Sequence, residues 1–364
     1  MKHRELSRRD FVKTSAGLVV GAAAGGFGFG GVGRGPQGQA AIVSVVRITD
    51  DRIAYAVEEA IDLLGGIETV ARDKERVMLK PNLVAESPVF TTKPTVVRTL
   101  AELMQRSGKE VLIGEGSASG SGFNIKGGIT YRTRNREILD GMQQYVFDTL
   151  GYSELAKSIG TPLVNLHSGE LVDVEVPNGL AFDTITLHHS LTDIDLLCSV
   201  PMMKTHVLAT VTLGMKNLIG LYPGTVYYSV RSWMHDQAAN AQSPGVAFEI
   251  VDMVRANKLG LVVIDGSMAM EGDGPSAGSL VKMDLIIAGT NPLATDMVAA
   301  DIMGFEPHEV PTFAWANRVG MSPASVNEIE VRGATIESVR RPFVKPHVLA
   351  WTSINKMWGV QEIP

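Results

Sequence analysis

Short apolar runs rich in Val and Ile alternate along the chain with longer segments whose apolar residues recur every three or four positions. "AIVSVVRI" (41–48), "RVMLKPNL" (76–83), "EVLIGEG" (110–116) and "LGLVVIDGSMAM" (259–270) read as strands. "RIAYAVEEAIDLLGG" (52–66) has helical spacing and stops at Gly65-Gly66. "KPTVVRTLAELMQRSG" (93–108) opens on Pro94 and closes on Gly108, the asymmetry expected of a helix. "YVFDTLGYSELAKSIG" (145–160) is helical with a break near Gly151, and "AFEIVDMVRANK" (247–258) is a further helix. "IDLLCSVPMMKTH" (194–206) reads as a buried strand followed by a loop, and "KMDLIIAGTNPLATDMVAADIMGF" (282–305) as strand, turn and helix. This alternation predicts an α/β protein with a mostly parallel sheet flanked by helices. It fills residues 41–345 as one domain or as two lobes, with residues 346–364 as a C-terminal helical tail.

The first 40 residues stand apart. A basic start leads into Ser7-Arg8-Arg9-Asp10-Phe11-Val12-Lys13, then a Gly/Ala-rich apolar run, then Gly38-Gln39-Ala40. This order reads as a twin-arginine export signal, and the competing reading is a basic tail with a chance arginine pair. The export reading implies a mature protein from near Ala41, a periplasmic or extracytoplasmic location and the twin-arginine export machinery as a partner. The apolar run is too interrupted by Gly and Arg34 for a stable membrane span.

Composition narrows the chemistry. The 364 residues are 45% hydrophobic and carry a formal net charge of −6, which gives nucleic acid no bulk electrostatic hold. Cys198 is the one cysteine, so the chain cannot supply an iron–sulfur cluster or zinc finger from its own thiols. A divalent metal would have to use His, Asp, Glu or backbone oxygens.

Ligands of open α/β sheets bind beyond the carboxyl ends of the strands, and the polar clusters fall there. Lys80 and Asn82 follow "RVML", Glu115 follows "EVLI", Lys204 and His206 follow "CSVPMM", and Asp265 follows "LVVI". "KTHVLATVTLGMKNLIG" (204–220) adds Lys216 and Asn217 within apolar flanks. Two lysines beside an imidazole suit a carboxylate or phosphate, while lysines bridged to Asp193 or Asp195 would be the plain structural alternative. "EGDGPSAG" (271–278) sets Glu271 and Asp273 among Gly272, Gly274 and Gly278, which fits a backbone cradle or a divalent metal as well as a glycine-rich turn. The Gly114/Gly116 stretch lacks the third glycine of a dinucleotide fingerprint, since Ser119 stands there. His235-Asp236 is as much a helix cap as a site, and His188 and His189 alternate faces of a strand. Asp296 is explained by capping in the first turn of its own helix.

The ordered stretches "KPNLV", "KTHVLATVTLGMKNLIG", "IVDMVRANKLGLVVIDGSMAMEGDGP" and "GTNPLATDMVAADIMG" resemble the family known as domain of unknown function 362. Many relatives carry cysteine-rich ferredoxin segments that this chain lacks. The resemblance also implies an architecture distantly similar to the lactate racemases, a likeness of fold that licenses no reaction. The residues then distribute as follows. Lys80, Asn82, Lys216, Asn217, Gly272 and Gly274 would hold a small anionic molecule or cofactor. His206, Lys204 and Asp265 would do acid–base chemistry, and Glu115, Glu271 and Asp273 would hold a metal. An exported metal-assisted enzyme and a periplasmic binding or cofactor-carrier protein both satisfy this pattern.

Overall fold

The structure is a computed structural model that describes residues 40–231 and 245–347. The arginine pair, His235-Asp236 and residues 348–364 lie outside the described residues. Eleven strands form one sheet: β1 (Ala41–Arg47), β2 (Arg76–Pro81), β3 (Glu110–Glu115), β4 (Leu163–Asn165), β5 (Leu196–Val200), β6 (Met202–His206), β7 (Thr210–Thr212), β8 (Leu259–Glu271), β9 (Ser279–Val281), β10 (Leu285–Gly289) and β11 (Ile329–Gly333). The central path runs β11-β1-β10-β8-β5-β2-β3-β4. From β8 to β4 the neighbours are parallel, and β10 runs against both β1 and β8, so the sheet is mixed and mostly parallel.

Both faces are buried, which is why the strands read as continuous apolar runs. Alternate residues serve opposite layers. Met78, Leu197, Val262 and Ile264 join one core cluster. Val77, Leu79, Leu196, Cys198, Leu261 and Val263 join the other. Helices α1 (Ile53–Asp62), α2 (Pro94–Arg106), α3 (Arg136–Thr149) and α4 (Tyr152–Ile159) contribute to the second layer. The first layer is closed by the one-turn α5 (Gly214–Asn217) together with α6 (Ala247–Ala256), α7 (Pro292–Ile302) and α8 (Pro311–Arg318). No helix among the described residues is long and apolar enough to cross a membrane.

Three local expectations need correction. Lys204 and His206 are in strand β6, not in a loop. Pro201 has no N–H and ends the ladder of β5, but its carbonyl accepts from Asp265 N at 2.8 Å and the chain pairs onward with β8 and β7. Asp265 therefore lies within β8, which runs to Glu271 as its apolar run predicts, and not beyond the end of a strand. Asp296 does not cap its own helix: the Asn291 side chain does that, accepting from Ala294 N at 3.0 Å. Asp296 points inward and accepts from Gly214 N at 2.7 Å and Met215 N at 2.8 Å, so it caps α5.

Candidate functional site

The parallel pairing of β2 with β3 brings Lys80 and Glu115 together at the carboxyl edge of the sheet. Lys80 Nζ lies 2.7 Å from Glu115 Oε1 and 2.8 Å from Oε2. It also donates to Pro81 O at 2.8 Å and to Asn217 Oδ1 at 3.1 Å. Glu115 accepts from Leu83 N and Gly116 N, both at 2.8 Å. Asn217 Nδ2 donates to Lys80 O and to Ser199 Oγ at 3.0 Å each. The pair is almost wholly buried, so its stability depends on these further hydrogen bonds. Burial pulls the Lys80 ammonium below its ordinary pKa, and Glu115 partly opposes that. Gly220 closes over the pair: a Cβ there would sit 2.5 Å from Glu115 Oε1 and 2.7 Å from Lys80 Nζ.

Beside the pair opens a cavity of about 280 Å³ whose polar wall is Lys80, Asn82, Glu115, His206, Lys216 and Arg231. Leu208, Ile219 and Val230 supply apolar wall, and Asp273 and Gly274 also line it. The buried Arg231 guanidinium is held in place by carbonyls, with Nε donating to Tyr222 O at 3.1 Å, Nη1 to Ser229 O at 2.6 Å and Nη2 to Gly220 O at 3.0 Å. Burial draws its pKa down to about 10. Lys216 projects from α5 and makes no hydrogen bond or ion pair among the described residues. Burial, then Lys80 and Arg231, lower its pKa to about 7. Asn82 donates to Asn217 Oδ1 at 3.1 Å, but its own Oδ1 is buried without a donor.

The structure brings Lys80, Asn82, Glu115, His206, Lys216, Asn217, Asp273 and Gly274 to this cavity, and leaves Lys204, Asp265, Glu271 and Gly272 off it. Lys204 is fully buried; its Nζ donates to Phe90 O at 2.7 Å and Pro275 O at 3.2 Å, with the Phe90 ring centroid 5.9 Å away. Neither Asp193 nor Asp195 bridges Lys204 or Lys216. Asp193 lies 3.0 Å from His189 Nδ1, and Asp195 accepts from Glu75 N and Arg76 N. His206 Nδ1 accepts from Leu208 N at 3.1 Å, which assigns the ring proton to Nε2. Asp265 accepts from Lys93 N at 2.9 Å and from Ser267 Oγ at 2.5 Å, anchoring the start of α2. Gly272 O accepts from Thr205 Oγ1 at 2.6 Å, and a Cβ on Gly274 would run into Thr205 O. Glu115, Glu271 and Asp273 do not form one donor set. Glu271 accepts from Val344 N at 3.0 Å and Asp273 from His347 N at 2.8 Å, while no three His, Cys, Asp or Glu side chains among the described residues group as a metal site.

Residues 77–301 match the family described as Domain of unknown function (DUF362). The chain belongs to this family. Every polar residue of the cavity wall falls inside the DUF362 match. A thylakoid-associated protein of Synechocystis sp. is 28% identical over 268 residues, 73% of this chain and 74% of its own. The fold is also similar to the lactate racemase apoprotein of Thermoanaerobacterium thermosaccharolyticum, with a TM-score of 0.43 at 11% identity over 72% of this chain and 57% of the racemase. A Thermotoga maritima protein gives a TM-score of 0.38 at 12% identity over 74% of this chain and 59% of its own. The chain thus spans less than two thirds of either solved structure.

Sequence reasoning missed Arg231, Gly220 and Ser199 in this DUF362 chain. Arg231 stands in "YYSVRSW" without a recognisable motif, and the carbonyls that fix it, among them Tyr222 O and Gly220 O, leave no mark in the local pattern. Gly220 closes the stretch 204–220 with no local signal of a special role. Its role is close approach to a charge pair that lies more than a hundred positions upstream.

Proposed function

We propose that this DUF362 protein binds a small anionic molecule in the Lys216 cavity. The observation that carries the reading is an amine with no hydrogen-bond or ion-pair partner among the described residues, on the wall of a small cavity that Lys80 and Arg231 also line. Lys80 is neutralised by Glu115, and backbone carbonyls fix the Arg231 guanidinium in the cavity wall, where it adds positive potential. An anion entering beside Lys216 would stabilise its protonated form, so binding takes up a proton near neutral pH. At about 280 Å³ the cavity suits a molecule of a few heavy atoms. A hydroxyl or acid proton on that molecule would satisfy Asn82 Oδ1.

Small carboxylates and phosphate at constant ionic strength should raise the melting temperature of the wild type; saturation at a hundred times Kd corresponds to about 2.7 kcal/mol. Lys216→Met should abolish the response yet melt higher than wild type without ligand, because it removes a half-buried charge that has no hydrogen-bond or ion-pair partner among the described residues. An equal response in Lys216→Met would sink the reading. We further propose an extracytoplasmic location on the basis of Arg8 and Arg9. Replacing both with lysine should hold the full-length chain in the cytoplasm, and undiminished periplasmic delivery would refute it.

A further inference from the structure

We propose that the anion is a small 2-oxo acid and that Lys216 Nζ condenses reversibly with its carbonyl to form an imine. The inference rests on the anion-binding reading and adds a covalent step to it.

Three observations converge on the same nitrogen. Lys216 reaches the cavity wall, and no described residue occupies its lone pair or its N–H donors. Apolar Leu208, Ile219 and Val230 line the same space, and an apolar surface beside the amine favours a condensation that releases water. Burial first, then Lys80 and Arg231 against an opposing Glu115, disfavour the ammonium there and leave part of Lys216 as the neutral nucleophile near pH 7.

The same cations explain why the ligand should carry a carboxylate next to its carbonyl. Imine formation passes through a protonated nitrogen, and a protonated imine among cations would be as unfavourable as the ammonium. A carboxylate on the adjacent carbon supplies the missing negative charge within the small cavity. In the step itself the Nζ lone pair forms the N–C bond while the carbonyl π pair moves to oxygen. One nitrogen proton moves to that oxygen, giving a carbinolamine. Its hydroxyl then takes up the second nitrogen proton and leaves as water as the C=N bond forms. Amine and carbonyl are consumed, imine and water are produced, and no oxidant or reductant is involved.

The full chain would be incubated near pH 7 with pyruvate and sodium cyanoborohydride, then read by intact mass and peptide mapping, with lactate as the carboxylate that has no carbonyl. One carboxyethyl group should appear on the Lys216 peptide. Its rate should exceed that of exposed lysines roughly a hundredfold, since the neutral fraction of Lys216 is about half against about one in a thousand for an ordinary lysine at that pH, less the lower nucleophilicity of a less basic amine. Lys216→Arg should show no adduct at this position. The proposal is overturned if label spreads over exposed lysines while the Lys216 peptide stays unmodified, or if the major adduct persists unchanged in Lys216→Arg. Thermal stabilisation by both pyruvate and lactate without a Lys216 adduct would defeat the imine and leave anion binding standing. Stabilisation by neither, again without an adduct, would defeat both.

Discussion

At the residue scale the site is decided by what each cation finds opposite it. Lys80, Lys204 and Lys216 look alike in the sequence, each a charge amid apolar neighbours, and all three suggest a waiting ligand. Their surroundings separate them: Lys80 has Glu115, Lys204 has two carbonyls, and Lys216 has a cavity. No local pattern distinguishes these fates, because Phe90 and Pro275 reach Lys204 from segments distant in sequence. Gly220 is the sharpest case. Its backbone is not in the left-handed region, so only the nearness of Lys80 and Glu115 excludes a side chain. Gly220→Ala should therefore push the buried pair apart and destabilise the fold by about 1–3 kcal/mol, the usual penalty for overpacking. Urea unfolding should show a lower midpoint at unchanged slope. An unshifted midpoint would mean that the pair accommodates the methyl group and that Gly220 does not fix its geometry.

At the element scale most of the architecture was legible. The strands of β1, β2, β3, β5 and β10 and the helices α1, α2, α6 and α7 follow from apolar spacing and from Pro and Gly at helix ends, because both faces of the sheet are buried and each strand must be apolar throughout. The strand-end rule then placed Lys80 and Glu115 correctly side by side. It failed where strands outrun their apolar core. β8 continues through Asp265 and Ser267 because β6 and β9 pair with its far half, and β6 itself carries Lys204 and His206 in a ladder instead of a loop. Polar residues there are tolerated because backbone groups partner them, a long-range fact invisible to periodicity. Asp296 shows the same limit, since it caps a turn eighty positions upstream. That cap also bears on the site, for α5 is the turn that presents Lys216 and Asn217.

At the scale of the whole molecule, buried charges without counter-charges set how stability varies with pH. The Asp296 carboxyl is raised to about 7 by burial, against two amide donors. Its stabilising contribution is present at acid pH and lost as pH rises through about 7. The Lys216 amine is lowered to about 7, so between that pH and its unfolded value the unfolded chain binds more protons and stability rises with pH. The buried Asp265 is shifted in the same direction as Asp296, and the buried Lys80 and Lys204 in the same direction as Lys216. The exposed Asp195 and Asp273 are shifted down, but solvent screens them. These opposed slopes predict a dip in stability near neutral pH, where Asp296 is becoming charged and Lys216 is not yet neutral. Each group contributes at most about 1.4 kcal/mol per pH unit on its own side of the dip. Denaturant midpoints measured from about pH 5 to about pH 10 should trace the dip, and Lys216→Met should flatten its alkaline side. A saturating small carboxylate should do the same by a different route, because a counter-charge returns the Lys216 pKa toward its unfolded value. A midpoint that peaks near neutrality, or an alkaline limb unchanged in Lys216→Met, would show that Lys216 is not held as an unpaired amine. The anion site would then lose its physical basis.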